Sequence, residues 1–190
     1  MHEGGLFIDE SLFHHNNVGI TVTTPLKVTY STFESNGVAI ALTARQAVIV
    51  GSNFISNGVA ITSTGIIDVQ YSTFVGNTDA VVTLRGGGEF SNNIVRNNYA
   101  SDIVLTVGGS FSARYNLIEA NSSLTGILST TNASTKTQQI FNRVQNNEIT
   151  TEEGCLIHAS SINADSYRCA TRTSSRIRRS TWPALRRVAT

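Results

Sequence analysis

The chain is short of charge. Asp, Glu, Lys and Arg make up 14% of its 190 residues, against the roughly 25% usual in globular proteins. Ser, Thr, Asn and Gly fill the difference, a turn-rich and β-branched composition that argues against a helical protein. Two cysteines say little about redox compartment. No apolar run approaches the roughly 18 residues that a spanning helix needs, so no membrane span is expected. The opening, MHEGGLFIDES, has neither the basic nor the apolar stretch of a secretory signal.

Charge is also unevenly placed. Residues 1–167 hold seven Lys/Arg against thirteen Asp/Glu, a balance of −6, while the last 23 residues hold seven Arg and no acid. A mildly acidic body therefore precedes a strongly basic tail.

What the chain does have is repetition. STFESNGVAI at 31–40 returns almost unchanged as SNFISNGVAI at 52–61. The shared pattern is [Ser/Asn]-x-[Phe/Ile/Val]-x-x-Asn. It also reads SLFHHN at 11–16, STFVGN at 72–77, NNIVRN at 92–97, NLIEAN at 116–121 and NRVQNN at 142–147. Its apolar anchors are Phe13, Phe33, Phe54, Phe74, Ile94, Ile118 and Val144, with spacings of 20, 21, 20, 20, 24 and 26 residues. Such a period is too short for paired-helix repeats, which need about 33 residues or more.

After each motif Asn the text alternates like a strand. Val18/Ile20/Val22, Val38/Ile40/Leu42 and Val59/Ile61/Ser63 fall two, four and six residues on, and period 2 assigns them to one inward face. A further short strand precedes each motif, as in KVTY, AVIVG, IDVQY, GGEF and FSARY. Several short strands per 20-residue unit, repeated in register, predict an all-β parallel solenoid of about seven coils. In it Asn16, Asn36, Asn57, Asn77, Asn97, Asn121 and Asn147 form a ladder of side-chain amides. Asn77 is expected to donate to Asn57 and accept from Asn97, satisfying polar groups that a buried turn would leave unpaired. The seven anchors form an apolar stack beside that ladder.

These motifs resemble the right-handed parallel β-helix repeat proteins, the superfamily of pectin and pectate lyases. The resemblance covers about residues 6–150. The repeated F-x-x-N is also similar to the passengers of polymorphic membrane proteins and autotransporter adhesins, although Asn-Gly-Val-Ala-Ile stands where those carry a Gly-Gly-Ala motif. The resemblance implies a single-stranded right-handed β-helix and an extracellular or cell-surface location. Residues 1–154 are expected to form the repeat domain, and residues 155–190 a basic tail or cap. Coil 1 begins almost at residue 6 with no evident cap, so the chain is expected to be part of a longer solenoid, with end-to-end contacts through uncapped coils.

The basic tail has three readings: an unstructured terminus, a tether to nucleic acid or an anionic surface through Arg176, Arg178, Arg179, Arg186 and Arg187, or a cap built on Trp182 and Leu185. Nucleic-acid binding is otherwise not expected. Asn121 and Asn132 lie in glycosylation sequons, Asn132 being the better acceptor.

Catalytic signals are thin. Polygalacturonases of the resembled superfamily use Asn-Thr-Asp, Asp-Asp and Gly-His-Gly motifs on successive coils, and its lyases bind calcium through clustered acids. Only Asn77-Thr78-Asp79 occurs here, and its Asn belongs to the ladder. Glu34 falls between His14 and Ile55, and Asp68 meets Glu89 only if the register slips by one. The His14-His15 pair has only Asp9 and Glu10 nearby, so no metal and no cofactor is expected. Cys155 and Cys169 are a candidate disulfide. Counting outward positions from each ladder Asn gives a flat face of Gly19, Ala39, Ala60, Ala41, Ala80, Val82 and Leu84 with Thr21, Thr23, Thr43, Thr62 and Thr64, extended by Thr106 and Thr130. That face suits a repetitive partner, a polysaccharide or a surface protein, and is similar to the faces of β-solenoid antifreeze proteins. The expected function is a non-catalytic, adhesin-like binding domain. A polysaccharide lyase or glycoside hydrolase, or a fragment of one, is the alternative, and ice binding a third.

Overall fold

The computed structural model describes residues 4–107, 109–130, 137–140, 142–149, 155–159 and 168–169. Every regular element among them is a β-strand, and the strands form three sheets of seven, seven and nine. The first sheet stacks from Leu6–Asp9 to Thr137–Ile140 and the second from Leu12–His14 to Arg143–Gln145. The third stacks Val18–Val22, Val38–Leu42, Val59–Ser63, Ala80–Leu84, Tyr99–Thr106 and Ser122–Thr130 in turn. The chain visits the three sheets in order and returns to the first about one period later, pairing in parallel with the level before it. This is a parallel β-solenoid, as the 20-residue period predicts. The third sheet continues past residue 154, since Cys155–Ala159 pairs in parallel with Ser122–Thr130.

Two sharp turns explain the motif. One joins the first sheet to the second and the other joins the second to the third. Each uses one residue with φ between 44° and 68°, such as Ser35, Ser56 and Gly76 in the second turn, and the next residue points its side chain inward. The ladder Asn follows that left-handed residue. Asn36, Asn57, Asn77, Asn98 and Asn121 are buried, and each bonds along the stack. Asn57 Nδ2 donates to Asn77 Oδ1 at 3.1 Å and to the Phe33 carbonyl at 3.0 Å, while the Asn57 backbone N–H donates to the same Asn77 Oδ1. Asn57 Oδ1 in turn accepts from the Asn36 backbone N–H and Nδ2, so the buried side-chain amide has partners for both protons and its oxygen, which offsets the cost of burial. The direction is the reverse of the expected one: each Asn donates to the later level, not the earlier.

The first turn carries a second ladder. Ser11, Ser31 and Ser52 donate their backbone N–H groups to the hydroxyls of Ser31, Ser52 and Ser72. Ser72 donates to Asn93 Oδ1, and Asn93 and Asn116 continue the line to Asn116 and Asn142. The Ser/Asn at the head of the motif is thus the residue that closes this turn.

Two expected members of the stacks are displaced by one residue. Phe74 pairs with Val95, and Val95 with Ile118, which pairs with Val144. Ile94 lies beside Thr73 instead and is 40% exposed. Likewise Asn77 bonds Asn98, and Asn98 bonds Asn121, while Asn97 is exposed with φ of 54°. Asn92 and Asn97 are the left-handed turn residues of this level, a role in which Asn is tolerated, so the motif is NIVRNN rather than NNIVRN.

The Phe13, Phe33, Phe54 and Phe74 rings stack with centroids 5.0, 5.1 and 4.8 Å apart and planes within 7°. Where Val95 interrupts the column, Phe90 from the first sheet fills the space, 5.7 Å from Phe74 and tilted by 41°. The simple alternation also breaks where the chain enters the third sheet. Ala39 and Ala60, expected outside, are buried together with their neighbours Ile40 and Ile61, while Val38 and Val59 are half-buried. On the first three levels the residue at this bend is small: Gly19, Ala39 and Ala60. A Cβ on Gly19 would stand 3.5 Å from the Phe33 ring.

Candidate binding faces

The outer surface of the third sheet is the face that the threonine pattern singles out. Register places Thr21, Ala41, Thr62 and Thr83 in one column. Thr23, Thr43, Thr64 and Arg85 are two residues further on and exposed. The last three donate backbone N–H groups to Val22, Leu42 and Ser63.

Thr83 was not anticipated, and Ala80, Val82 and Leu84 do not belong to this face. Ala80 pairs with Val59, Val82 with Ile61 and Leu84 with Ser63, and Val82 and Leu84 are fully buried. The cause is one extra residue after Asn77. Asp79 and Ala80 both direct their N–H groups to the Gly58 carbonyl, at 2.8 and 3.3 Å, so the strand starts one residue late. The lone polar residue between Val82 and Leu84 was the available signal. Register likewise sets Thr106 beside Leu84, and Thr130 beside Thr106. Both thus fall in the column of Leu42 and Ser63, not in that of Thr64.

Asp79, the acid of the Asn-Thr-Asp match, is exposed in this bulge, with its Oδ2 over Gly58. Glu34 lies between His14 and Ile55, as expected. The Asp68–Glu89 slip does occur: the two are register partners, and the Glu89 backbone N–H donates to Asp68 Oδ1 at 3.0 Å. Val48 precedes them in the column and Ser112 follows. His14 and His15 are exposed with their Nδ1 atoms 3.0 Å apart, and the Asp9 carboxylate accepts from the Thr29 hydroxyl. No group of three or more His, Cys, Asp or Glu able to hold a metal occurs among the described residues.

Cys155 and Cys169 are register partners in an antiparallel pair, where Cα atoms stand about 4.5–5.5 Å apart, inside the range a disulfide requires. Under oxidising conditions the denatured chain is expected to show no titratable thiol. Reduction is expected to cost about 3 kcal/mol on the chain-entropy account; two titratable thiols after oxidation would refute the bridge. Asn121 is a buried ladder residue. Asn132, Trp182, Leu185 and the arginines at 176, 178, 179, 186 and 187 lie outside the described residues.

Three exposed tyrosines of the first turn escaped the sequence reading. Tyr30, Tyr71 and Tyr115 each occupy the left-handed position of the first turn. Their signal was a tyrosine directly ahead of alternate copies of the motif: YSTFESN, YSTFVGN and YNLIEAN.

No helix among the described residues is long and apolar enough to cross a membrane. Comparison with protein-family models, curated proteins and solved structures finds no match to this chain.

Proposed function

We propose that the chain is a non-catalytic repeat domain, working outside the cell or at its surface, that holds a rigid, threonine-rich sheet against a polysaccharide or a surface protein. The observation behind this reading is the register column of Thr21, Thr62 and Thr83 with Thr23, Thr43 and Thr64 alongside. Its hydroxyls repeat at the inter-strand spacing of about 4.8 Å on a backbone locked by two ladders, so a partner pays little ordering cost in the scaffold. Ala41 and Arg85 break the Thr-x-Thr rows, which speaks against ice as the ligand.

Retention of the whole chain on a panel of immobilised polysaccharides and surface-protein extracts tests the reading. A Thr62→Lys/Thr64→Lys variant is expected to keep its stability and to lose at least about tenfold in affinity, because it puts two unpaired charges into the contact. Undiminished binding would remove the threonine face from the account.

The Asp68–Glu89 pair supports a second reading, a polysaccharide-cleaving enzyme, since two neighbouring carboxylates are the minimum that glycoside hydrolysis needs. Release of oligosaccharides from the same panel, lost in Asp68→Asn and Glu89→Gln, would replace the binding domain with that enzyme.

A further inference from the structure

The first turn places a left-handed residue at six successive levels, Glu10, Tyr30, Gly51, Tyr71, Asn92 and Tyr115, with φ between 44° and 62°. Gly adopts this conformation freely and Asn with little penalty, whereas a bulky side chain there is a strained outlier. Three of the six nevertheless carry tyrosine, and the side chains are 66%, 62% and 57% exposed for Tyr30, Tyr71 and Tyr115. Strain held in exposed aromatics, at positions that Gly51 and Asn92 show can be filled cheaply, points to a use outside the fold.

The tyrosines alternate with smaller residues, and the spacing follows. Two levels of parallel strands amount to about 9.6 Å. Gly51 clears the bed between the first two: a Cβ there would lie 2.8 Å from two carbons of the Tyr30 ring. That ring therefore leans along the rod over Gly51.

From Tyr30 to Tyr71 the flanks of this ridge are uncharged. The sheet columns beside it read Thr29, Val50 and Gln70 on one side and Thr32, Asn53 and Thr73 on the other. No Lys or Arg stands in either column until Arg114, beside Tyr115. A nucleic-acid strand stacking on these rings would need cations for its phosphates, and a polyuronate would need them for its carboxylates. A packed protein partner would want a contiguous apolar surface.

We propose that the Tyr30–Tyr71–Tyr115 ridge is a binding site for an extended, neutral, β-linked polysaccharide. In such a chain every second sugar presents the same face, a repeat close to two levels of the rod. The C–H faces of alternate sugars stack on the tyrosine rings, and the hydroxyls between them meet Thr32, Asn53 and Gln70. The site is separate from the threonine sheet and shares with the reading above only the class of partner.

Affinity electrophoresis of the whole chain in gels containing hydroxyethyl cellulose, glucomannan or polygalacturonate tests this. The unaltered chain is expected to be retarded by the two neutral polymers and not by the uronate. Tyr30→Gly/Tyr71→Gly is expected to weaken that retardation at least about tenfold, as loss of aromatic anchors does, while its urea midpoint stays level or rises because the left-handed strain is relieved. Tyr30→Phe/Tyr71→Phe keeps the rings and is expected to bind. Three results would overturn the proposal: no retardation of the unaltered chain by either neutral polymer, undiminished retardation of the glycine variant, or equal retardation by the uronate. Loss in the Thr62→Lys/Thr64→Lys variant alone would also overturn it, and would leave the threonine face standing by itself.

Discussion

Asn98→Ala is expected to destabilise the solenoid by about 4 kcal/mol, whereas Asn97→Gly, one residue away, is expected to change it by less than about 1 kcal/mol. Asn98 is 2% exposed. Its Oδ1 accepts the Asn77 backbone N–H and the Asn77 Nδ2, each at 2.9 Å. Its Nδ2 donates to Phe74 O, Arg96 O and Asn121 Oδ1. Truncation strands buried donors and acceptors on two levels at once, each worth about 1–3 kcal/mol. Asn97, by contrast, is an exposed left-handed residue, for which glycine is a natural occupant. Urea unfolding with a constant m-value gives both numbers. Equal losses at the two positions would contradict the register described here.

The second large effect belongs to the ring column. Phe54→Ala is expected to cost about 3–5 kcal/mol, toward the upper end of what buried aromatic truncation does. The ring is fully buried between Phe33 at 5.1 Å and Phe74 at 4.8 Å. The three levels are held at fixed spacing by their strand pairing, so the walls of the cavity cannot close on it. Phe13→Ala is the comparison: that ring is only half-buried and touches one neighbour in the column, Phe33. Its loss is expected to be about half as large. Matching midpoint shifts for the two variants would show that the column does not pack as a unit.

Much of this architecture was legible in the chain because a 20-residue period repeats every structural duty at the same place. Parallel stacking, the Asn ladder and the Phe column all follow from residues that recur in register. What escaped was set by ambiguities of a single residue. Asn is both a good ladder residue and a good left-handed turn residue, so Asn92-Asn93 and Asn97-Asn98 each offered two alignments, with Ile94 and Val95 equally suited to the interior. Asp79 added one residue to a loop, and period 2 then exchanged inside for outside through Leu84. The substitution of Phe90 for a ring at Val95 joins two sheets, and no pattern within either strand announces it. Ladder direction was not readable either, since an amide column satisfies its members equally well whichever way it points.

The threonine face was only partly legible for the same reason. Thr21, Thr62 and Thr64 were placed by offset from their ladder residues, and the offsets hold for the first three levels. Thr83 lies beyond the bulge and needed the local alternation instead. The tyrosine ridge lay outside the reading altogether, because a left-handed turn is expected to hold Gly or Asn, and a tyrosine there looks like the end of a strand.

That ladder direction has a consequence for the whole rod. From Asn16 to Asn147 every link between side-chain amides runs the same way, N–H toward the later level and C=O toward the earlier. The Asn93–Asn116–Asn142 line runs parallel to it. Aligned amide dipoles add, as they do along a helix, so each column is a small macrodipole with a positive pole toward the later levels and a negative pole toward the earlier ones. For two such rods placed end to end, this dipole contribution favours head-to-tail over head-to-head order. The ladder direction thus favours one orientation for any level added to the stack, the head-to-tail one.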